Sequence, residues 1–298
     1  MKKLIVILGP TGIGKTKTSI KIAEHFSIPI VNADSRQIFS EIPIGTAAPT
    51  AEEQRRVKHY FVGNHHLTDY YSASMYESDV MALLEKLYDT SDIALLSGGS
   101  MMYIDAVCNG IDDIPTIDAE VRTLMKRRLD EEGLPALVEE LKVLDPEHWA
   151  IVDKNNPRRV VHALEICHTT GKPYSTFRTN TIKERPFQAI KIGLTKERDI
   201  LYQRINERVL KMMEGGLLDE ARRVYPLRGL NSLNTVGYKE LFEHFDGQTS
   251  LDEAVYKIQS NTRRYCRKQL TWYKRDENVQ WFSPDNVEEI IKYIENYR

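Results

Sequence analysis

The clearest pattern in the chain is the run LIVIL at residues 4–8, apolar without a polar break and ended by glycine. A strand that is apolar on both faces belongs in a parallel sheet covered on both sides. Residues 15–26 space their apolar positions as a helix does, with Thr18, Ile22 and Phe26 among the inward candidates. IPIVNAD (28–34) and DIALLSGG (92–99) read as two more strands, the second preceded by a helix over about 74–89. Strands alternating with helices predict an α/β fold, a P-loop NTPase-like parallel sheet flanked by helices. Ligands of such sheets bind at the carboxyl ends of the strands. Those ends are GPTGIGKT, Asp34-Ser35 and Gly98-Gly99-Ser100, so three polar clusters are expected along one edge.

From 113 to 188 the strand signals stop. Helical segments follow one another at 118–131, 133–144 and 156–170, punctuated by Pro115, Gly133, Pro146, Pro157, Gly171 and Pro173. This predicts a helical insertion domain, 113–188, inside a core domain made of 1–112 and 189–298. QAIKIGL (188–194) should rejoin the sheet. Residues 197–275 read as helical, and a short strand, VQWF (279–282), and a last helix follow.

Composition narrows the partners. With 298 residues, 41% apolar, 28% charged and a formal net charge of −2, this is an ordinary globular chain and no general polyanion binder. A nucleic-acid surface must come from local clustering. One cluster is KIQSNTRRYCRKQLTWYKR (257–275), with seven basic residues, two tyrosines, a tryptophan and no acid before Asp276. Lys126-Arg127-Arg128 and Arg158-Arg159 are others. On charge alone such a run also suits a solvated helix face; interleaved aromatics favour RNA. The three cysteines, 108, 167 and 266, are too sparse for a disulfide framework or a zinc site. Neither a signal peptide nor a membrane span is expected, so the cytoplasm is the expected compartment.

GPTGIGKT fills every fixed position of G-x-x-x-x-G-K-[ST], with a strand before it and a helix after it. Gly9, Pro10, Thr11, Gly12, Ile13, Gly14, Lys15 and Thr16 therefore form a phosphate cradle. Backbone N–H groups point inward, the helix dipole adds partial positive charge, Lys15 adds a full one, and Thr16 offers a hydroxyl to Mg²⁺. ATP is the default ligand. However, the strand that should carry a metal-holding acid ends in Ser97-Gly98-Gly99, while Asp34 stands at the end of the second strand. A phosphate grip facing a free carboxylate suits a reaction in which diphosphate leaves and a proton is removed. His65 and His66 lack a third ligand at useful spacing, and Asp69 reads as a turn anchor. A nucleotide kinase, group transfer to a free nucleotide, and an RNA-binding switch all stay open at this point.

GPTGIGKT, VNADSRQIFSEIPIGTAAPT (31–50), HHLTD (65–69), LLSGGSMMYIDAV (95–107), NNPRRVVHALEI (155–166), NTVGYKEL (234–241) and TRRYCRKQLTWYKR (262–275) occur in this order. The chain resembles the tRNA dimethylallyltransferases, also called tRNA isopentenyltransferases, over residues 4 to 282. The resemblance implies transfer of a dimethylallyl group from dimethylallyl diphosphate to N6 of adenosine 37, beside the anticodon of tRNA, with Mg²⁺ as cofactor. It implies that Asp34 is the general base, that Thr11 lies by the amine and the diphosphate, and that Arg208, or Arg204 one turn away, binds diphosphate. It places tRNA contacts at Asp34, Ser35, Arg36 and Gln37, at Ser100 and Arg122, and at Arg158, Arg159 and His162. Asn234, Gly237, Tyr238 and Lys239 follow, and the basic helix adds Arg263, Arg264 and Arg267. Ser100 keeps a hydroxyl where the family often has threonine, and His162 stands where arginine is common. A monomer with no membrane partner is implied.

Overall fold

In a computed structural model, residues 1–179 and 181–297 are described. The sheet strands are β1 (Lys3–Leu8), β2 (Ile30–Asn32), β3 (His59–Tyr60), β4 (Ile93–Ser97), β5 (Gln188–Leu194) and β6 (Gln280–Phe282). They pair in parallel in the order β3-β2-β4-β1-β5-β6. The central position of β1 explains its unbroken apolar run. Ile5 and Ile7 pack on one side with Ile20 and Ile22 of the helix Lys15–Phe26. Leu4, Val6 and Leu8 pack on the other with Tyr76, Val80 and Leu84 of the helix Ala73–Tyr88.

Two elements differ from the sequence reading. β2 is confined to Ile30–Asn32, because Asp34 already turns the chain by accepting from the following amides. The edge strand β3 is only two residues long and carries too little pattern to be read in advance. The helices expected over 118–131 and 133–144 are both present within Ala119–Leu144, separated at Gly133, where the backbone leaves the helical region (φ 79°, ψ 166°). A short helix, Pro146–Ile151, follows.

The chain divides into two compact units, Met1–Asn109 with Arg185–Arg298, and Gly110–Glu184. The first holds the sheet and a further helical core in which Ile38, Ile42, Val209, Leu217, Tyr238 and Ile258 meet. The second packs Met125, Leu137, Leu141, Val160 and Leu164 into a core of its own. Its fully buried Asp145 accepts from the His148 amide, the Ser175 amide and the Ser175 hydroxyl, which seals the turn after the helix Pro157–Thr170. Among the described residues no helix is long and apolar enough to cross a membrane.

Candidate active site

The cradle sits between β1 and the helix Lys15–Phe26. Gly14 precedes that helix at φ 110° and provides no side-chain cap, so the first-turn N–H groups stay available to an anion. Lys15 Nζ donates to the carbonyls of Gly9 (2.9 Å) and Pro10 (3.0 Å). Burial lowers its pKa to about 8; the Asp34 carboxylate opposes that shift and the Arg208 charge adds to it. Arg208 lies on the helix Arg198–Glu214, and its Nη1 donates to Thr11 Oγ1 at 3.2 Å. Burial lowers its pKa too, against the pull of Asp34. Arg204, one turn earlier, reaches the other side of the cradle: a Cβ placed on Gly14 would lie 3.4 Å from its Nη2.

Asp34 faces this cluster. Its Oδ1 accepts from the amides of Arg36 (3.0 Å) and Gln37 (3.4 Å), so it serves as a turn residue as well. Its Oδ2 is directed to the Gly98-Gly99 turn: a Cβ on Gly99 would lie 3.6 Å from Asp34 Oδ2 and 3.6 Å from Lys15 Nζ. Ser100 Oγ accepts from the Ser35 amide at 2.7 Å and ties the two strand ends together. At the end of β4, the usual place of a metal-holding acid, Ser97 Oγ accepts from Ser19 Oγ at 2.7 Å in a buried pair.

Two cavities meet at this cluster. One, of about 770 Å³, is lined by Gly12, Gly14, Lys15, Thr16, Gly98 and Arg204, with an apolar side at Ile44, Ala47 and Pro49. The other, of about 570 Å³, is lined by Ser35, Arg36, Ser100, Lys239, Arg264 and Lys268. Thr11, Asp34 and Arg208 line both.

The remaining expected residues separate into groups. Asn234 and Gly237 line the second cavity beside Lys239. Tyr238 does not; it is fully buried, with its hydroxyl on Glu220 Oε1 at 2.6 Å, so it is a core residue rather than an RNA contact. Gln37 turns its amide inward to the carbonyls of Thr46 (3.0 Å) and Ala47 (3.1 Å) and lines the cavity beside Lys15. On the helix Leu251–Tyr273 only Arg264 of the three expected arginines faces the second cavity. Arg263 donates to Asn206 Oδ1 (2.5 Å) and Arg267 to the Tyr202 hydroxyl (3.1 Å), both toward the neighbouring helix. Positions 263 and 267 are one turn apart and so point to the same neighbouring helix.

In the insertion, Arg122, Arg158 and Arg159 are exposed and His162 is half-buried, edge-on to Tyr174. Arg128 of the basic triplet is held by Glu132 (2.6 Å) and Glu140 (2.8 Å), so its charge is neutralised within the unit. His66 pairs with Glu41 and Asp69 anchors the His66 amide, as turn residues do. Trp272 donates to Asp105 and Tyr273 is buried.

Gln269 is a site residue that sequence reasoning missed, as are Thr46 and Lys268 on the cavity walls. Gln269 is 1% exposed; its Oε1 accepts from the Thr11 amide (2.8 Å) and its Nε2 donates to the Gly99 carbonyl (2.7 Å). It thereby fixes the P-loop to the Gly98-Gly99 turn. The available signal was its helical spacing from Cys266 and Tyr273, which marks the buried side of the helix. Among the described residues no three His, Cys, Asp or Glu side chains converge as a metal cage.

The sequence profile of the IPP transferase family matches residues 37–276. A tRNA dimethylallyltransferase 1 of Phocaeicola vulgatus is 62% identical, over 98% of this chain and 97% of the relative. Another tRNA dimethylallyltransferase 1, from Bacteroides fragilis, is 58% identical over 99% of this chain and 98% of its own length. The crystal structure of the tRNA isopentenylpyrophosphate transferase of Bacillus halodurans is similar at TM-score 0.72 and 34% identity, covering 99% of this chain and 96% of that one. The match runs from the phosphate cradle through the insertion to the basic helix, and the chain belongs to the IPP transferase family.

Proposed function

We propose that the protein transfers the dimethylallyl group of dimethylallyl diphosphate to N6 of adenosine 37 in tRNA and releases diphosphate. The observation that carries this is the position of Thr11, Asp34 and Arg208 on the wall shared by a phosphate-gripping cavity and a cation-lined one. The first holds the donor, with its apolar side toward the prenyl chain. The second admits the acceptor base, which must leave its stack to reach the pocket.

The adenine amine is a weak nucleophile because its lone pair is delocalised into the ring. As the N–C bond forms, Asp34 takes the proton from N6, and the C–O bond to diphosphate breaks. The cradle amides, Lys15 and Arg208 meet the negative charge that grows on the leaving oxygen. The donor set around Thr16 is a hydroxyl without a carboxylate cage, which fits a Mg²⁺ ion held largely by diphosphate oxygens and water. Bound there, Mg²⁺ would stabilise charge on the departing diphosphate. Arg36, Lys239, Arg264 and Lys268 at the acceptor cavity favour an RNA over a free nucleotide, which needs no such array. Arg122, Arg158 and Arg159 are exposed on the insertion and are suited to RNA phosphates there. The enzyme acts as a monomer in the cytoplasm, where its tRNA resides.

The test is incubation with Mg²⁺, dimethylallyl diphosphate and an anticodon stem-loop, with the RNA then weighed by mass spectrometry. A gain of one dimethylallyl group is expected. Prenylation of AMP but not RNA, or phosphoryl transfer from ATP without prenylation, would sink the reading. Asp34→Asn keeps an acceptor for the Arg36 amide and loses the base, so turnover should fall about 10²–10⁴-fold with RNA affinity retained.

A further inference from the structure

Glu220 lies on the short helix Leu217–Val224 and is fully buried. A carboxylate in that position is costly unless donors surround it. Three do. Its Oε2 accepts from the Ile44 amide (2.9 Å); its Oε1 accepts from the Gly45 amide (2.8 Å) and from the Tyr238 hydroxyl (2.6 Å). Burial, followed by the nearby Glu220, pushes the Tyr238 phenol upward, so it stays a neutral donor. Gly45 is pressed against the Tyr238 ring so closely that a Cβ would come within 2.4 Å of its hydroxyl oxygen. One buried side chain thus grips two consecutive amides of the turn Pro43–Thr46 and seats that turn on an aromatic ring.

The turn is part of the site. Thr46 lines both cavities, and Ile44 and Ala47 form part of the apolar side of the phosphate cavity. The carbonyls of Thr46 and Ala47 hold the Gln37 amide group, and the Gln37 backbone N–H donates to Asp34 Oδ1. A continuous hydrogen-bonded path therefore runs from Glu220 through the turn and Gln37 to Asp34.

We propose that Glu220 is a positioning residue for Asp34: by fixing the turn Pro43–Thr46 it sets, through Gln37, where the Asp34 carboxylate meets the acceptor amine. Glu220 touches neither substrate. It acts on geometry, and a displacement of about 1 Å at a reacting group can cost about 10²-fold in rate. This rests on the assignment of Asp34 as the base.

Glu220→Gln keeps shape and volume but exchanges one accepting oxygen for a donor, so one of the gripped amides loses its partner. Gln37→Leu cuts the link from the turn to the Asp34 loop and leaves Glu220 intact. Tyr238→Phe removes one of the three donors and provides a milder variant should Glu220→Gln fold poorly. Single-turnover rates at saturating donor and stem-loop are measured beside donor KM, stem-loop Kd and thermal melting. Glu220→Gln and Gln37→Leu should each slow the step by about tenfold or more, with stem-loop Kd within about threefold of wild type. The double variant should be no slower than the slower single, because both break one path. Tyr238→Phe should slow the step less than Glu220→Gln.

A Glu220→Gln enzyme that is folded and as fast as wild type overturns the proposal, as does a double variant whose losses multiply. Asp34→Asn run in parallel separates the two assignments. If Asp34→Asn is inactive and Glu220→Gln is fully active, only the role of Glu220 falls; if Asp34→Asn turns over normally, the base assignment itself falls.

Discussion

The rim of the sheet unit and the surface of the insertion both carry many charged and polar side chains, but they use them differently. At the rim, Gln269 and Glu220 are spent on backbone amides and carbonyls far away in sequence, Asp34 on the amides of its own turn, and all three fix loops in place. In the insertion, Arg128 is paired with acids of its own unit, while Arg158 and Arg159 stand exposed at the start of the helix Pro157–Thr170. Buried polar contacts hold geometry, because leaving one unmade costs the full desolvation of its partner. Exposed charges hold little geometry but attract phosphates over a distance. The difference separates a region whose polar groups fix loop geometry from one whose arginines stay at the surface.

The largest effect should come from breaking the rim at Gln269. Gln269→Leu leaves the Thr11 amide and the Gly99 carbonyl without this partner. Unfolding in urea should show a loss of about 2–4 kcal/mol. Turnover should fall further than stem-loop binding does; unchanged stability together with unchanged turnover would remove Gln269 from the site.

A smaller effect follows from Lys15. Its folded-state value of about 8 lies below the ordinary 10.5, so between these pH values the folded protein holds fewer protons than the unfolded chain. The contribution of this group to stability therefore rises with pH across that window and is constant below it. An anionic diphosphate beside Lys15 should restore the charge. Calorimetry in buffers of different ionisation enthalpy should show about zero proton uptake by Lys15 at pH 7, rising toward about one per diphosphate above pH 8. Lys15→Arg should abolish the uptake; its persistence would assign the proton to another group.

The smallest effects sharpen the contrast between the regions. Arg264→Ala should weaken stem-loop binding several-fold and reduce the slope of log affinity against log salt by about one. Arg128→Ala, which removes a charge already neutralised by Glu132 and Glu140, should leave RNA affinity nearly unchanged and cost at most about 1 kcal/mol of stability. Equal losses of RNA affinity in the two variants would erase the distinction.

Much of this protein was legible before any coordinates. The apolar run of β1, the return of a strand at Gln188–Leu194 and the helical character of 113–188 follow from local periodicity, and the cradle follows from a contiguous motif. Such features depend on neighbours in sequence, so the sequence alone determined them. The two-residue β3 escaped because pairing, not pattern, makes it a strand.

Tertiary structure decided the rest. Thr11 and Gln269 are separated by 258 positions, and nothing local marks one as the partner of the other. The rotation of the helix Leu251–Tyr273 about its axis determined that Arg264 faces the cavity lined by Asp34 and Lys239 while Arg263 and Arg267 bind the neighbouring helix. The same packing withdrew Tyr238 into the core and brought Glu220 under the turn that leads to Asp34. A motif names the groups that hold phosphate because they are adjacent in the chain. The orientation of a carboxylate across from them is set by contacts among segments that meet only when the cores have closed.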